Sequence, residues 1–324
     1  MSESEDQLLE ELRPRAFAIA YRMLGSVAEA EDIVQEALVR VHRALEDGQR
    51  IESPRAFVAT VATRLAIDEL RSARVRRESY VGEWLPEPLV ADATGDPADQ
   101  AEMADSLSIA FLVLLESLSP EERAVLLLRD VFDYGYDEIA SIVGKSESNA
   151  RQLAARARRR VGERRPRFES SREQRDKLAS RFLAAAKEGD LGSLETLLAH
   201  DVVLRGDGGG KVPALARSLV GRSRVARAMV AWVRQSLKVP GTAVRPVEVN
   251  GQPGALLVDG EGRLVGVVAL DIAGQQVRSV LGIVNPDKLQ HLGRVGDLGA
   301  LLRRSLPRDG RPTESSTKEE GGYR

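Results

Sequence analysis

The sequence predicts a multidomain chain in which two all-α blocks, joined by a proline-bearing linker, precede an α+β cone. Three observations predict it. Apolar residues recur at the helical period through the first half, and a glycine-punctuated pair of short helices ends in a run of arginines. Beyond a further helical pair, the pattern changes to β-rich runs separated by glycines. With 324 residues the chain is long enough for two or three domains, each burying its own core. A hydrophobic content of 43% with 30% charged residues describes a soluble globular protein. No run is long enough to cross a bilayer, and Met-Ser-Glu-Ser-Glu-Asp is acidic where a secretory signal is basic, so a cytoplasmic location without membrane attachment is expected. The absence of cysteine excludes disulfides, thiolate zinc sites and a cysteine nucleophile. His42, His200 and His291 are too scattered to suggest a metal site, and no cofactor is expected.

The first block spans 8–78. Ile33, Val34, Ala37, Leu38, Val41 and Leu45 form a helical stripe, while Glu29, Glu31, Asp32 and Glu36 crowd one end with negative charge. After the loop Ile51-Glu-Ser-Pro-Arg, a second long helix carries Phe57, Val61 and Leu65 and ends in the basic patch Arg71-Ser-Ala-Arg-Val-Arg-Arg. The segment 79–105 reads as a linker, because Trp84-Leu-Pro-Glu-Pro disfavours helix and the acidic, small-residue stretch after it has little to bury.

The block 106–167 reads as a helix-turn-helix. Ser119-Pro-Glu-Glu supplies an N-cap, a first-turn proline and a carboxylate three residues after the serine. Ile139, Ala140 and Val143 stripe one helix, Gly144 makes the turn, and Ala150, Leu153, Ala154, Ala157 and Val161 stripe the next. Ser148, Asn149, Arg151, Gln152 and Arg156 are thereby left facing outward, and these side chains suit base edges in a major groove. Eight arginines between Arg151 and Arg167 meet only Glu163, a local positive field that favours phosphates.

These residues resemble a known family. Ala30-Glu-Asp-Ile-Val-Gln-Glu is similar to the polymerase-binding helix in region 2 of bacterial extracytoplasmic-function (ECF) sigma factors, and the helix-turn-helix is similar to region 4. The resemblance implies a transcription initiation factor whose partners are core RNA polymerase, through its β′ clamp and β flap, and promoter DNA. It implies that Glu31, Asp32, Gln35 and Glu36 dock on the β′ clamp, where an acidic face suits a basic partner; a merely solvated acidic face is the other reading. It assigns Ser53, Arg55, Arg64, Asp68, Arg71 and Arg74 to the minus-ten element, whose bases are extruded on melting. Ser148, Asn149, Arg151, Gln152 and Arg156 would read the minus-thirty-five element.

The third domain is expected over 172–292. Leu178, Phe182, Leu183 and Ala186 form a helical stripe, 191–199 a shorter helix, and 214–237 another. Strands are expected over 201–205, 243–249, 255–258, 264–272 and 277–284, arranged as an antiparallel sheet. This order resembles the SnoaL-like or NTF2-like cone. Trp84-Leu-Pro-Glu-Pro, Asp207-Gly-Gly-Gly-Lys and Asn285-Pro-Asp-Lys-Leu together resemble the sigma-factor group known as ECF41, and the resemblance implies a built-in regulator that replaces a separate anti-sigma factor. A regulatory interface is accordingly expected at Trp84, Leu85, Pro86, Asp207, Lys211, Asn285, Pro286, Asp287 and Lys288. The three glycines after Asp207 permit either an anion cradle finished by Lys211 or a tight turn ending in an Asp–Lys contact. Met229, Trp232 and Leu237 are expected in the core, with room in the cone for a small ligand.

Two rival functions stay open. A one-component helix-turn-helix repressor with a ligand-sensing cone would bind its operator without polymerase. A SnoaL-type enzyme carrying a nucleic-acid module would need a base, for which His200, Asp201 and Asp207 are candidates by residue type; the favoured reading is that the chain is not an enzyme. The tail 303–324, rich in charged and small residues, is expected to be disordered.

Overall fold

The computed structural model of this chain describes residues 3–90, 107–162 and 171–305, with backbone alone at 3–4, 74–78 and 304–305. Most of the arginine run beyond Arg160, most of the tail and the acidic half of the linker therefore lie outside the described residues. Helices α1 (Glu3–Leu24), α2 (Val27–Glu46) and α3 (Pro54–Glu78) form the first bundle. Ser26 caps α2 by accepting a bond from the Glu29 amide, and α2 buries Ala30, Ile33, Val34, Ala37, Val41 and Ala44, with Leu38 and Leu45 half-buried at the edge of that stripe.

The second block contains α4 (Ile109–Leu115), α5 (Pro120–Asp130), α6 (Tyr136–Val143) and α7 (Glu147–Gly162). Ser119 and Glu122 make the reciprocal capping box that opens α5. Gly144 ends α6 at φ 64°, a left-handed conformation that only glycine adopts without strain. The two blocks are not separate bodies on a tether: Leu12, Ile19 and Val34 of the first share one buried cluster with Leu127, Ile139 and Leu153 of the second.

The third unit comprises α8 (Arg172–Glu188), α9 (Leu191–Leu197), β1 (Leu198–Asp207), β2 (Leu219–Val220), α10 (Arg222–Leu237) and β3 to β6 (Ala243–Val249, Gln252–Val258, Leu264–Ala273, Gln276–Ile283), followed by α11 (Leu298–Ser305). The strand order is β2-β1-β6-β5-β4-β3. The sheet is mixed, which corrects the expected antiparallel arrangement: β1 and β6 run parallel, while the other pairs are antiparallel. Alternation along one strand reports its faces and carries no information about which neighbour it meets. Residues 214–221 are not helical either, because Leu219 and Val220 pair with Leu204 and Val203 and Gly221 sits at φ 101°, so the helix starts at Arg222.

Both faces of the sheet are covered, and β5 is buried along its whole length. Val268, Leu270 and Ile272 face α8, α9 and α10, while Val267 and Ala269 face a second cluster containing Leu85 of the linker and Ile109 of α4. Met229 is buried as expected, Trp232 is half-buried beside a cavity, and Leu237 is exposed rather than in the core. No helix among the described residues is long and apolar enough to cross a membrane.

Candidate functional site

On α2, the helical stripe that faces the core leaves the acidic residues outward. Asp32 and Gln35 are exposed, whereas Glu31 and Glu36 are half-covered and already hold Arg13 and Arg40. The surface thus keeps its shape through internal ion pairs and offers Asp32 freely.

The residues assigned to the minus-ten element are differently placed. Ser53 is an N-cap, its hydroxyl accepting from the Ala56 amide at 3.3 Å, and Arg55 is exposed. Arg64 donates to the carbonyls of Ser141 and Ile142 at 2.9 Å each, neutralising the C-terminal end of α6. Arg71 bonds Asp68 at 2.9 Å and Glu121 at 2.7 Å, so α3 is laced to α5 of the other helical block. Partial burial would raise Glu121, but its bond to Arg71 prevails and holds the carboxyl below the usual range. The Arg74 side chain lies outside the described residues.

On α7, Ala150, Leu153, Ala154, Ala157 and Val161 are buried, and Ser148, Asn149, Arg151, Gln152 and Arg156 are all exposed. Ser146 caps this helix by accepting from the Asn149 amide. Arg151 pairs with Glu147 and lies over the Tyr136 ring at 4.5 Å, which fixes its direction. Buried Glu122 closes the capping box and also holds Arg160 at 2.8 Å and Arg156 at 3.8 Å.

Leu85, Asp207, Asn285 and Lys288 of the signature segments meet in a buried clasp between linker and cone, while Lys211 and Asp287 are exposed. Asp207 ends β1 with 0% exposure. One of its oxygens accepts from the Tyr80 hydroxyl and the Gly209 amide, the other from the Leu85 amide at 2.8 Å and the Lys288 ammonium at 2.7 Å. Lys288 also donates to the Leu85 carbonyl and lies 4.1 Å from the Trp84 ring centroid. Asn285 bonds the Tyr80 hydroxyl at 2.9 Å, and burial together with Asp207 pushes that phenol well above its ordinary pKa. The tight-turn reading of the glycines is the right one, with its partner corrected. Asp207 pairs with Lys288 and not Lys211, which instead pairs with Asp287 at 2.5 Å. The Gly209 amide is already given to Asp207, and at Gly209 and Gly210, φ +59° and +71°, a Cβ would meet Asn285 and Val81.

The other end of the clasp holds the first bundle. Trp84 and Pro86 pack on Gly25 in the α1–α2 turn, where a Cβ would lie 2.8 Å from the indole. Glu87 accepts from the Ser26 hydroxyl at 2.9 Å and the Val27 amide at 2.6 Å, placing a carboxylate at the start of α2. Asn250, at φ 51° in the β3–β4 turn, accepts from the Leu89 amide and donates to the Leu107 carbonyl and the Tyr21 hydroxyl, each at 2.8–2.9 Å. Tyr80, Glu87, Asn250, Tyr21 and His291, which bonds the Pro88 carbonyl, were missed by sequence reasoning. Asn250-Gly251 between two strands is a turn signal, but its partners lie 143 and more residues away along the chain.

The cone has an open cavity of about 270 Å³ between α8, α10 and the sheet, lined by apolar groups such as Leu183, Met229 and Trp232 together with Ser180 and Lys187. No Asp, Glu or His lines it; His200 and Asp201 are exposed on β1, and Asp207 is saturated by donors. Among the described residues no carboxylate or histidine cluster fits a metal ion.

Residues 8–76 match the family model for sigma-70 region 2, and 108–161 the model for sigma-70 region 4. The chain is 38% identical over 288 residues to ECF RNA polymerase sigma factor SigJ of Mycobacterium tuberculosis, covering 86% of this chain and 91% of that protein. It is 33% identical over 283 residues to the probable ECF RNA polymerase sigma factor SigI of the same species, covering 85% and 91%. The crystal structure of SigJ is similar with a TM-score of 0.70 at 35% identity, over 87% of this chain and 96% of that one. Since the identity to SigJ covers 86% of this chain and 91% of that relative, this chain belongs to the ECF sigma factors of RNA polymerase.

Proposed function

We propose that this sigma factor, which binds core RNA polymerase and directs promoter-specific initiation, is regulated by its own cone, with the arrangement described above as its restrained form. The carrying observation is the buried Asp207–Lys288 pair, which closes around the backbone of Leu85. While the linker is held there, Arg64 and Arg71 stay bonded to α5 and α6 and cannot also hold melted DNA. Opening the clasp would free α3 for the minus-ten element through Ser53, Arg55, Arg64, Asp68, Arg71 and Arg74. The face of α7 would read the minus-thirty-five element, and Asp32 and Gln35, flanked by Glu31 and Glu36, would dock on the β′ clamp, with the second block on the β flap.

This reading needs no separate anti-sigma factor and no membrane attachment, and it places the protein in the cytoplasm. It assigns the cone no catalysis and leaves that largely apolar space for a small ligand as signal.

Two experiments bear on it. Lys288→Ala in the full chain leaves Asp207 buried without its cation, and promoter-specific transcription with purified core polymerase should change. Cutting after about Arg205 removes both partners and should change output as well; equal output from all three proteins would sink the proposal. A gel shift with and without core polymerase addresses the repressor reading, which requires tight operator binding by the chain alone.

A further inference from the structure

Between Gly208 and Val247 the sequence contains no Asp or Glu against eight Lys and Arg, although the whole chain has a formal net charge of -2. The structure gathers half of these cations onto one surface. Arg224, Arg227, Arg234 and Lys238 are exposed along α10 and its C-cap, at spacings that keep them on one side, while Val225, Ala226, Met229, Val230 and Val233 fill the other. Ala231 is exposed midway along the stripe.

These cations differ from four of the five arginines of α7. There Arg151, Arg156, Arg158 and Arg160 are each matched by Glu147, Glu122 or Asp130. On α10, no carboxylate among the described residues lies within ion-pair distance of Arg224, Arg227, Arg234 or Lys238. Glu188 lines a cleft together with Lys187, Arg234 and Lys238. Like charges three and four residues apart oppose helix formation, so the stripe is a standing cost to the fold. It lies on the sheet face opposite Leu85 and α4 and takes no part in the clasp.

We infer that α10 is a third phosphate-contacting surface, which engages the backbone of duplex promoter DNA without reading its sequence. The stripe runs roughly 21 Å at the helical rise, and duplex DNA offers one charge per about 1.7 Å of axis. The inference rests on the sigma-factor reading, and its test separates the two.

Since the chain has no cysteine, Ala231→Cys provides a single thiol for a tethered iron chelate. In a holoenzyme–promoter complex, hydroxyl radicals from that site should cut a localised set of nucleotides. An initiating complex whose DNA is uncut, or whose cuts fall in polymerase subunits, overturns the inference and leaves the sigma-factor reading intact. Failure of the unmodified chain to form an initiating complex overturns both. As a second measure, changing Arg224, Arg227, Arg234 and Lys238 to Gln should lower the slope of log affinity against log salt by about 0.9 for each phosphate no longer neutralised. The start site and co-elution with polymerase should be unaffected, and Lys in place of each Arg should restore the slope. An unchanged slope in the Gln variant counts against the surface.

Discussion

The two helices that would touch the promoter are unequally available. On α7, Ser148, Asn149, Gln152 and their arginine neighbours face outward, and the acids that hold Arg151 and Arg156 orient them without covering them. On α3, Arg64 and Arg71 are spent on the carbonyls of α6 and on Glu121. A chain in this state presents the outward face of α7 while Arg64 and Arg71 of α3 are occupied. Under the proposed function, restraint would act on the melting step, with the clasp setting how firmly.

The largest expected effect comes from breaking that asymmetry at its source. Removing one partner of a buried ion pair costs about 3–5 kcal/mol, so Lys288→Ala should favour the undocked linker, and hydrogen exchange in α3 should rise while α7 is little altered. Exchange that stays slow in α3 would show that the clasp does not govern it. Asn250→Ala removes the bonds to the half-buried Leu89 amide and Leu107 carbonyl and should give the same pattern in milder form.

Arg151→Ala or Gln152→Ala should cost about 1–3 kcal/mol at one base pair of the upstream element, measured by competition between promoter variants. Equal losses on every sequence would make these residues phosphate contacts.

A smaller effect concerns Asp271, buried on β5 with one oxygen bonded by Ser279 and the other unpartnered. Burial raises its pKa above the unfolded value. Its contribution to stability is therefore complete below the unfolded pKa and is lost as pH rises through the folded one. Asp271→Asn should raise Tm at neutral pH and flatten that dependence between acid and neutral solution; a lower Tm at pH 7 would refute this. Smallest is Glu121→Gln, which releases Arg71 from an exposed pair worth about 0.2–1 kcal/mol and should raise initiation slightly if α3 is the restrained element.

Local pattern carried much of this architecture. The α2 and α7 stripes, the Ser119 capping box and the Gly144 turn each depend on residues within one or two turns of each other, and sequence spacing specifies them directly. The outward face of α7 follows from the same period. The failures share a cause. The parallel pairing of β1 with β6, the pairing of Lys288 with Asp207 and the bonds of Arg64 to α6 all join segments about 80 residues apart, where no periodicity reaches. Short-range logic also misassigned 214–221, since Leu219 and Val220 read as a helical turn until β1 offers them a partner. The signature motifs marked where the clasp lies, but its geometry needed the folded linker.

One consequence follows from the direction of β1 and β6. They are in register from Val203 with Ser279 to Asp207 with Ile283, so the loops beginning at Gly208 and Val284 leave the sheet side by side and the same way. Whatever tilts that end of the sheet must carry both loops at once. Asp207 and Lys288 thus leave the same end of the sheet together, and under the proposed function a signal that tugs on either strand would reach both.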